Sequence, residues 1–418
     1  MLAAALAGGG VYLATRDAAP EVVEVPGPAP APEVVIREQP APEETDELGF
    51  PEFATKNTTR VAGADPIADA AGVALAVYPS TGDVPGPDAV TVVDTGEWAA
   101  AVAAASLVAE PVGAPILFTE DGEMPTLTAA AIRSLGPSGS KATEGEQAFV
   151  VGAAAEPPDL GSRAIEGARP AGLAAAIAAV RVELGQKPRH VVLVSADEPA
   201  LAMPAASWAA RSGDPILYLD RDRVPAATRE ALEGFKDLPA FVLGPESAIS
   251  AKAFDEVRKL VPAATRIAAE GAVESSIEFA RFTAGGFGWD INDPGHGLVL
   301  ANSGRPLDAA AAAPLSASGT WGPLLVTDDA AALPQPLAEY LLDLKPGYLD
   351  DPTRAVYNHV WLIGDTAALS IDLQAEVDQL AEVTQVTSGE GPELGPAPGT
   401  PENQPDDPRP RSDRDSNR

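Results

Sequence analysis

The stretch Val90-Thr91-Val92-Val93-Asp94-Thr95-Gly96 is a β-branched run that ends in a small polar tip. The chain repeats this pattern twice, from Val191 to Ser195 and from Leu298 to Gly304. An alanine-rich segment, which predicts a helix, follows each tip. Because self-similarity at a regular spacing is the signature of repeat architectures, the sequence predicts three tandem copies of one unit.

Two further signals keep the three copies in register. A second short apolar strand opens at Pro115, Pro215 and Pro323, each 19 residues after the tip residues Gly96, Ala196 and Gly304. Arginine opens the copies at Arg60, Arg163 and Arg266, which are 103 residues apart. These signals divide the chain into repeat 1 (residues 57–161), repeat 2 (162–264) and repeat 3 (265–386).

The strands of each copy are continuous apolar runs, as in Val191-Val192-Leu193-Val194, which is typical of a parallel sheet buried on both faces. Helices are predicted between them, over residues 99–110, 199–211 and 307–318. Strand-helix-strand order with right-handed crossovers gives helices on both faces of each sheet. We therefore predict an α/β fold of three tandem three-layer repeats with mainly parallel sheets.

In these motifs the chain resembles the cell wall-binding repeat type 2 family, over residues 57 to 386. The resemblance implies a pseudo-threefold arrangement and a cell-envelope protein that binds a wall polysaccharide or anionic polymer non-covalently. This sequence departs from the family where Gly63-Ala64-Asp65-Pro66 keeps only the Asp of the first motif. It also keeps an Asp after the tip only at Asp308. The alternative is a surface scaffold or protein-interaction module that has lost polymer binding.

The predicted ligand-binding residues are the repeated arginines and the tips of the first strands. They are Arg60, Arg163, Arg266, Thr95, Gly96, Ser195, Ser303, Gly304, Arg305 and Asp308. A threefold axis would bring the three repeated arginines together into an anion site, because guanidinium groups bind phosphate and carboxylate in a bidentate way. The alternative for each arginine is a structural ion pair between repeats.

Acidic residues follow the second strand of each copy, as at Glu120, Asp220 and Asp328. Converging carboxylates could hold Mg²⁺ or Ca²⁺, but capping of the next helix explains them as well, and we predict no metal site. The sequence carries no catalytic motif around its histidines, so we predict neither an enzyme nor a cofactor. The insertion Gly285–Asn292 is specific to repeat 3, where its aromatic residues either stack on sugar rings or staple the loop.

The net charge is −33, and residues 57–386 hold 21 basic and 44 acidic side chains, a net charge of −23. A nucleic-acid partner would have to overcome this field, so we expect none. An anionic polymer meets the same field, unless the site is locally positive or divalent cations bridge. Cysteine is absent, so disulfides and thiolate metal sites make no contribution.

The two ends differ in composition from the repeats. Residues 1–17 begin with an apolar run of 15 residues, shorter as a helix than the roughly 30 Å hydrocarbon core. We expect part of a signal-anchor that begins upstream and tethers the protein to the membrane, outside the cytoplasm. Residues 18–56 are rich in Pro, Ala and Glu and predict a disordered linker, and residues 387–418 predict a disordered charged tail. The sequence does not fix the oligomeric state.

Overall fold

The computed structural model describes residues 53–78, 86–168, 170–318 and 320–386. Its strands are β1 (Phe53–Ala54), β2 (Thr58–Val61), β3 (Val90–Asp94), β4 (Ile116–Thr119), β5 (Ala148–Val151), β6 (Ser162–Ile165), β7 (Val191–Ser195), β8 (Ile216–Leu219), β9 (Ala240–Leu243), β10 (Ala264–Ile267), β11 (Thr283–Ala284), β12 (Phe287–Gly288), β13 (Gly297–Asn302), β14 (Leu324–Thr327), β15 (Gly347–Tyr348), β16 (His359–Ile363) and β17 (Thr384–Gln385).

The helices alternate with these strands. They are α1 (Pro66–Val77), α2 (Trp98–Val108), α3 (Thr126–Leu135), α4 (Ala171–Glu183), α5 (Pro199–Ser212), α6 (Ala226–Gly234), α7 (Ala251–Leu260), α8 (Ala272–Arg281), α9 (Leu307–Ala311), α10 (Ala313–Ala317), α11 (Gln335–Asp343) and α12 (Ile371–Ala381), with a 3₁₀ turn at Pro352–Arg354. In the part of the chain that the structure describes, no helix combines the length and the apolar character needed to cross a bilayer.

Three sheets share one strand order. Sheet 1 runs β4-β3-β5-β6, sheet 2 runs β8-β7-β9-β10, and sheet 3 runs β14-β13-β16-β2, all with parallel neighbours. In sheet 3, β1 adds an antiparallel edge to β2. The predicted α/β fold of repeated units with mainly parallel sheets is therefore confirmed.

Each sheet is completed by the first strand of another repeat. Strand β6 opens repeat 2 in the sequence but pairs with β5 of repeat 1, and β10 likewise joins sheet 2. Strand β2, near the start of the described chain, pairs with β16 of repeat 3. The three units therefore form a closed ring, in which repeat 1 supplies the last strand of sheet 3.

The alanine-rich helices α2, α5, α9 and α10 pack against one another at the centre of this ring. Alanines such as Ala104, Ala205 and Ala310 are completely buried there. Small side chains let helix backbones approach closely, which explains the composition of these segments. The predicted helix over 307–318 is split in two, because Pro314 lacks the N–H that would bond to the carbonyl of Ala310.

The predicted disordered linker ends earlier than expected. Residues 53–56 lie in the predicted linker 18–56, but Phe53 and Ala54 pair with Arg60 and Thr59 across the β1–β2 hairpin. The hydroxyl of Thr55 also donates to Asp378. The predictions for residues 1–17, for most of 18–56 and for 387–418 lie outside the described residues.

Candidate functional site at the junction of repeats 1 and 3

One buried charge cluster joins the two ends of the ring. The Arg305 guanidinium donates from Nη2 to Asp69 Oδ2 at 2.5 Å and from Nε to Asp308 Oδ2 at 2.6 Å. Both carboxylates are fully buried, while the Arg305 side chain is 23% exposed. We call Asp69, Arg305 and Asp308 the closing cluster, because Asp69 belongs to repeat 1 and the other two belong to repeat 3.

Local sequence positions each member of the closing cluster. Asp65 caps α1 by accepting a hydrogen bond from the Ala68 N–H at 2.9 Å, which sets the start of the helix that carries Asp69. Asp69 Oδ1 in turn accepts from the Gly63 N–H at 2.8 Å. Arg305 follows the tip of β13, at the carboxyl end of sheet 3. Ligands of parallel α/β sheets bind at such ends, so the cluster lies where a site is expected.

Burial dominates the electrostatics of the closing cluster. It raises the pKa of Asp69 to about 8, with the charge of Asp308 adding to the rise and Arg305 opposing it. Burial also raises the pKa of Asp308, to about 6, against the hydrogen bond from Arg305. Two carboxylates share one guanidinium, so the cluster holds a proton more readily than exposed carboxylates do.

All three nitrogens of the Arg305 guanidinium already donate hydrogen bonds. Nε and Nη2 of Arg305 are engaged by carboxylates, and Nη1 donates to the Ala64 carbonyl at 3.4 Å. An incoming anion would have to displace Asp69 or Asp308 from this guanidinium. The observed geometry is therefore that of a latch between repeats, and ligand binding by Arg305 and Asp308 stays a prediction.

Arg60 lies next to this cluster and is also fully buried. Its guanidinium donates to the carbonyls of Gly364 and Asp365 at 2.9 and 2.8 Å, and Nε donates to Gln374 Oε1 at 2.9 Å. Burial lowers the pKa of Arg60 to about 10. Arg60 therefore fixes β2 to the turn after β16 and to α12.

Arg266 makes the corresponding bonds in sheet 2. It donates to the carbonyls of Gly244 and Ile249 at 2.8 and 2.7 Å, and its guanidinium lies 4.8 Å from the ring centre of Phe254 on α7. Arg60 and Arg266 thus hold the same turn in two sheets, between the third strand and the helix that follows it.

Arg163 is not equivalent to the other two arginines, despite the regular spacing. Arg60 pairs with Leu362 and Arg266 with Val242, but Arg163 pairs with Phe149, one residue earlier in the sheet register. The equivalent residue is Ala164. Since a shift of one residue moves a side chain to the other face, Arg163 instead contacts Glu183 on α4. The following glycine does not signal this shift, because it lies three residues after Arg60, four after Arg163 and five after Arg266.

The structure does not bring the three repeated arginines together. They lie on the last parallel strands of three different sheets, and in the described chain no hydrogen bond joins any two of them. The predicted convergence at a threefold axis is wrong, because helices rather than these strands form the centre of the ring.

The predicted tip residues close turns at the strand ends. Asp94 Oδ1 accepts from the Gly96 N–H at 3.0 Å, and Asn302 Oδ1 accepts from the Gly304 N–H at 2.9 Å. Ser195 Oγ accepts from the Asp197 N–H at 3.1 Å, so Asp197, and not Ala196, is equivalent to Gly96 and Gly304. Thr95 and Ser303 pair through their backbone N–H groups with the second strands. Of these tips, only Ser303 and Gly304 lie beside the closing cluster.

The acidic residues after the second strands form turns instead of helix caps. Asp220 pairs with Arg223 at 2.5 Å, and Arg221 with Asp222 at 3.0 Å. The following helices α3, α6 and α11 begin after prolines and have no side-chain cap, so the expectation of capping is wrong. In the described ranges no group of three or more His, Asp or Glu side chains is placed to hold a metal ion.

The insertion of repeat 3 is a staple. Phe287, on the β11–β12 hairpin, is fully buried and stacks on Phe241 of sheet 2 with ring centres 3.8 Å apart. Beneath it, Asp214 accepts from His190 Nδ1 at 3.0 Å and from Trp208 Nε1 at 2.9 Å. Burial acts to raise the pKa of Asp214, but hydrogen bonds from His190 outweigh it and lower the pKa.

Comparison with known proteins supports the fold. The structure is similar to Cwp6 from Clostridium difficile, with a TM-score of 0.61 and 19% sequence identity over 78% of this chain and 48% of that one. It is also similar to Cwp8 from Clostridium difficile, with a TM-score of 0.60 and 17% identity over 78% of this chain and 52% of that one. The chain thus spans about half the length of each. No protein-family model matches the sequence, and no curated protein sequence matches it.

Proposed function

We propose that this chain is a cell-envelope protein whose ring of three α/β units holds a wall polymer non-covalently. The observation that carries the proposal is the fold, which is shared with Cwp6 and Cwp8 over 78% of the chain. Both are cell wall proteins, which supports a role at the cell surface. The proposal assigns binding and no catalytic step to the chain.

The closed ring suits a binding role. A strand from a neighbouring repeat completes each sheet, and the helices α2, α5, α9 and α10 share one core. The carboxyl ends of the three sheets are therefore held in fixed positions. Rigid positioning of several weak sites lets a polymer with repeating units engage more than one of them, which raises the overall affinity.

A second function, a surface scaffold that binds another protein, is favoured by the closing cluster. Asp308 matches the family pattern, yet it accepts a hydrogen bond from Arg305, whose guanidinium also donates to Asp69. Arg60 likewise donates hydrogen bonds to backbone carbonyls. Residues that were predicted to bind the polymer instead hold the ring together in this chain.

Co-sedimentation of the full chain with purified cell walls separates the two functions. Polymer binding predicts that the protein pellets with native walls, and that it stays in solution when the walls are stripped of secondary polymers. Scaffolding predicts no pelleting with either preparation. A salt series on native walls then measures how much of the binding is electrostatic. Salt weakens such binding, because exposed charges are screened within about 10 Å at 0.1 M salt.

The N-terminal membrane tether and the extracytoplasmic location are further parts of this proposal. Membrane fractionation of the source cells, with protease added to intact cells, tests both. Retention of the full chain in the membrane fraction together with cleavage of the repeats by external protease is the expected result.

A further inference from the structure

We infer that a hollow beside β13 and β16 is a binding site for a neutral sugar unit. The inference rests on the proposed function and deepens it, because it assigns one glycan-binding site to the ring. The hollow has a volume of about 460 Å³, within the roughly 300–1,000 Å³ of small-molecule sites. It lies at the amino ends of the strands, opposite the closing cluster, between the ends of α1 and α10.

The lining of the hollow combines aromatic rings with small polar groups. Tyr357, His359 and Trp361 supply the rings, and His296, Ser318 and Thr320 supply polar atoms. Sugar rings present apolar C–H faces and a rim of hydroxyl groups, so they stack on aromatic rings and bond to polar side chains at the edge. This mixture of an apolar body with a few polar groups is the composition that such ligands require.

The hollow avoids the charge that opposes an anionic ligand. None of its described lining residues is Asp, Glu, Lys or Arg. Burial lowers the pKa of His359, which favours the neutral form of its ring. A neutral sugar therefore enters without the repulsion that a chain with a net charge of −33 exerts on anions.

The rings are held in place before any ligand arrives. Asn358, between two of them, is 3% exposed, and its Oδ1 accepts from the backbone N–H groups of Gly295 and His296 at 2.8 and 3.1 Å. His359 Nε2 lies 2.9 Å from Thr59 Oγ1, and the Tyr357 hydroxyl donates to the Pro352 carbonyl at 3.0 Å. Rings fixed in this way lose little freedom on binding, which favours affinity.

Sheet 3 differs here from its two counterparts. The strand pairings place Phe149 of sheet 1 and Phe241 of sheet 2 at the position of Trp361. Phe149 is fully buried, and Phe241 is covered by the Phe287 staple. Trp361 is partly exposed, and Tyr357 beside it is 56% exposed. The same face of the unit is thus filled in two repeats and open in the third.

Ligand-observed NMR titration of the full chain with chitotriose, maltotriose, mannotriose and galactotriose tests the inference. We expect at least one of them to bind, and Tyr357→Ala to weaken that binding about tenfold through loss of ring stacking. Tyr357→Phe keeps the ring and should bind within about twofold of the wild type. Leu349→Ala, an exposed apolar residue outside the hollow, is the matched control.

Two results would overturn the inference: none of the four sugars binds, or Tyr357→Ala binds as tightly as the wild type. Wall co-sedimentation of the same variants separates this from the proposed function. If walls retain the wild type and Tyr357→Ala equally and no trisaccharide binds, the site is refuted and wall binding stands. If a trisaccharide binds at the hollow but walls retain nothing, wall binding fails and the site stands.

Discussion

The Asp69 carboxylate and the Arg305 guanidinium are 236 residues apart in the sequence and 2.5 Å apart in the structure. This contact joins α1 of repeat 1 to the segment that opens α9 of repeat 3. Together with the pairing of β2 and β16, it makes the third unit depend on the first. Ring closure therefore has a chemical basis in a few buried residues, and those residues can be tested.

Removal of the Arg305 guanidinium should strongly destabilise the fold. We expect Arg305→Ala to lower the free energy of unfolding by about 3 kcal/mol or more, because Asp69 and Asp308 are left buried without their partner. Urea denaturation followed by circular dichroism measures the change. Lys56→Ala is the control, since its pair with Glu382 is exposed, at 59% and 40%, and such pairs contribute less than about 1 kcal/mol. Equal losses in the two variants would contradict the latch.

The closing cluster should also make stability depend on pH. The folded-state pKa values of Asp69 and Asp308, about 8 and about 6, lie above those of unfolded Asp. The folded chain then binds more protons than the unfolded chain, so the contribution of these groups to stability falls as pH rises from about 4 to 8. Melting temperatures of Asp308→Asn between pH 5 and 8 should vary less than those of the wild type. Leu342→Ala, at an exposed side chain that does not ionise, should leave the wild-type slope unchanged.

Much of this fold was predictable because its strands are buried on both faces. Continuous apolar runs such as Val90–Val93 are buried as strands. The second strands, predicted to open at Pro115, Pro215 and Pro323, each begin one residue later. The exchange of strands between repeats was not predictable. The segment around β6 reads as the start of repeat 2, and only pairing with β5 shows that it belongs to sheet 1.

The candidate site was less predictable than the fold. Arg305 and Asp308 were found from their place after a strand tip, but Asp69 was missed, since nothing in α1 marks one acid as the partner of a distant arginine. Arg163 was misjudged, because equal spacing in the sequence hides a shift of one residue in the sheet register. Tyr357 carries no motif and becomes notable only when its exposure and its neighbours are known.

The three repeated arginines should differ in their effect on stability. We expect Arg60→Ala to cost about 3 kcal/mol or more, because it leaves buried carbonyls and the Gln374 side chain without partners. Arg266→Ala should cost about 1–3 kcal/mol, since its guanidinium is half-buried and bonds to two carbonyls. Arg163→Ala should cost less than about 1 kcal/mol, as its partner Glu183 is 59% exposed. Urea midpoints measure this order.

Wall binding by the same three variants tests the predicted anion site. Arg163→Ala is the informative one, because it should remain folded. If the variant pellets with native walls as the wild type does, Arg163 takes no part in binding. If the variant no longer pellets while its stability is unchanged, Arg163 is a ligand-binding residue as predicted.

The Phe287 staple should contribute as much to the free energy of unfolding as a core residue does. We expect Phe287→Ala to lower the free energy of unfolding by about 3–5 kcal/mol, because a fully buried ring that stacks on Phe241 is lost. Leu342→Ala, at a side chain that is 56% exposed, should change stability by less than about 0.5 kcal/mol. Phe287→Leu retains much of the volume and should fall between these values. A loss below 1 kcal/mol for Phe287→Ala would show that the hairpin only rests on sheet 2.

The alanine composition of the central helices should be a packing requirement. Ala104 on α2 is fully buried, and α2 packs against α4, α5 and α9 at once. We expect Ala104→Leu to destabilise the chain by about 1–3 kcal/mol, since extra methylenes force tightly packed helices apart. Ala179→Leu, at an exposed position of α4, should be neutral within about 0.5 kcal/mol and corrects for helix propensity. Because the three sheets share this centre, Ala104→Leu should lower the melting temperature of the whole ring. A separate early transition confined to repeat 1 would instead show that the units unfold independently.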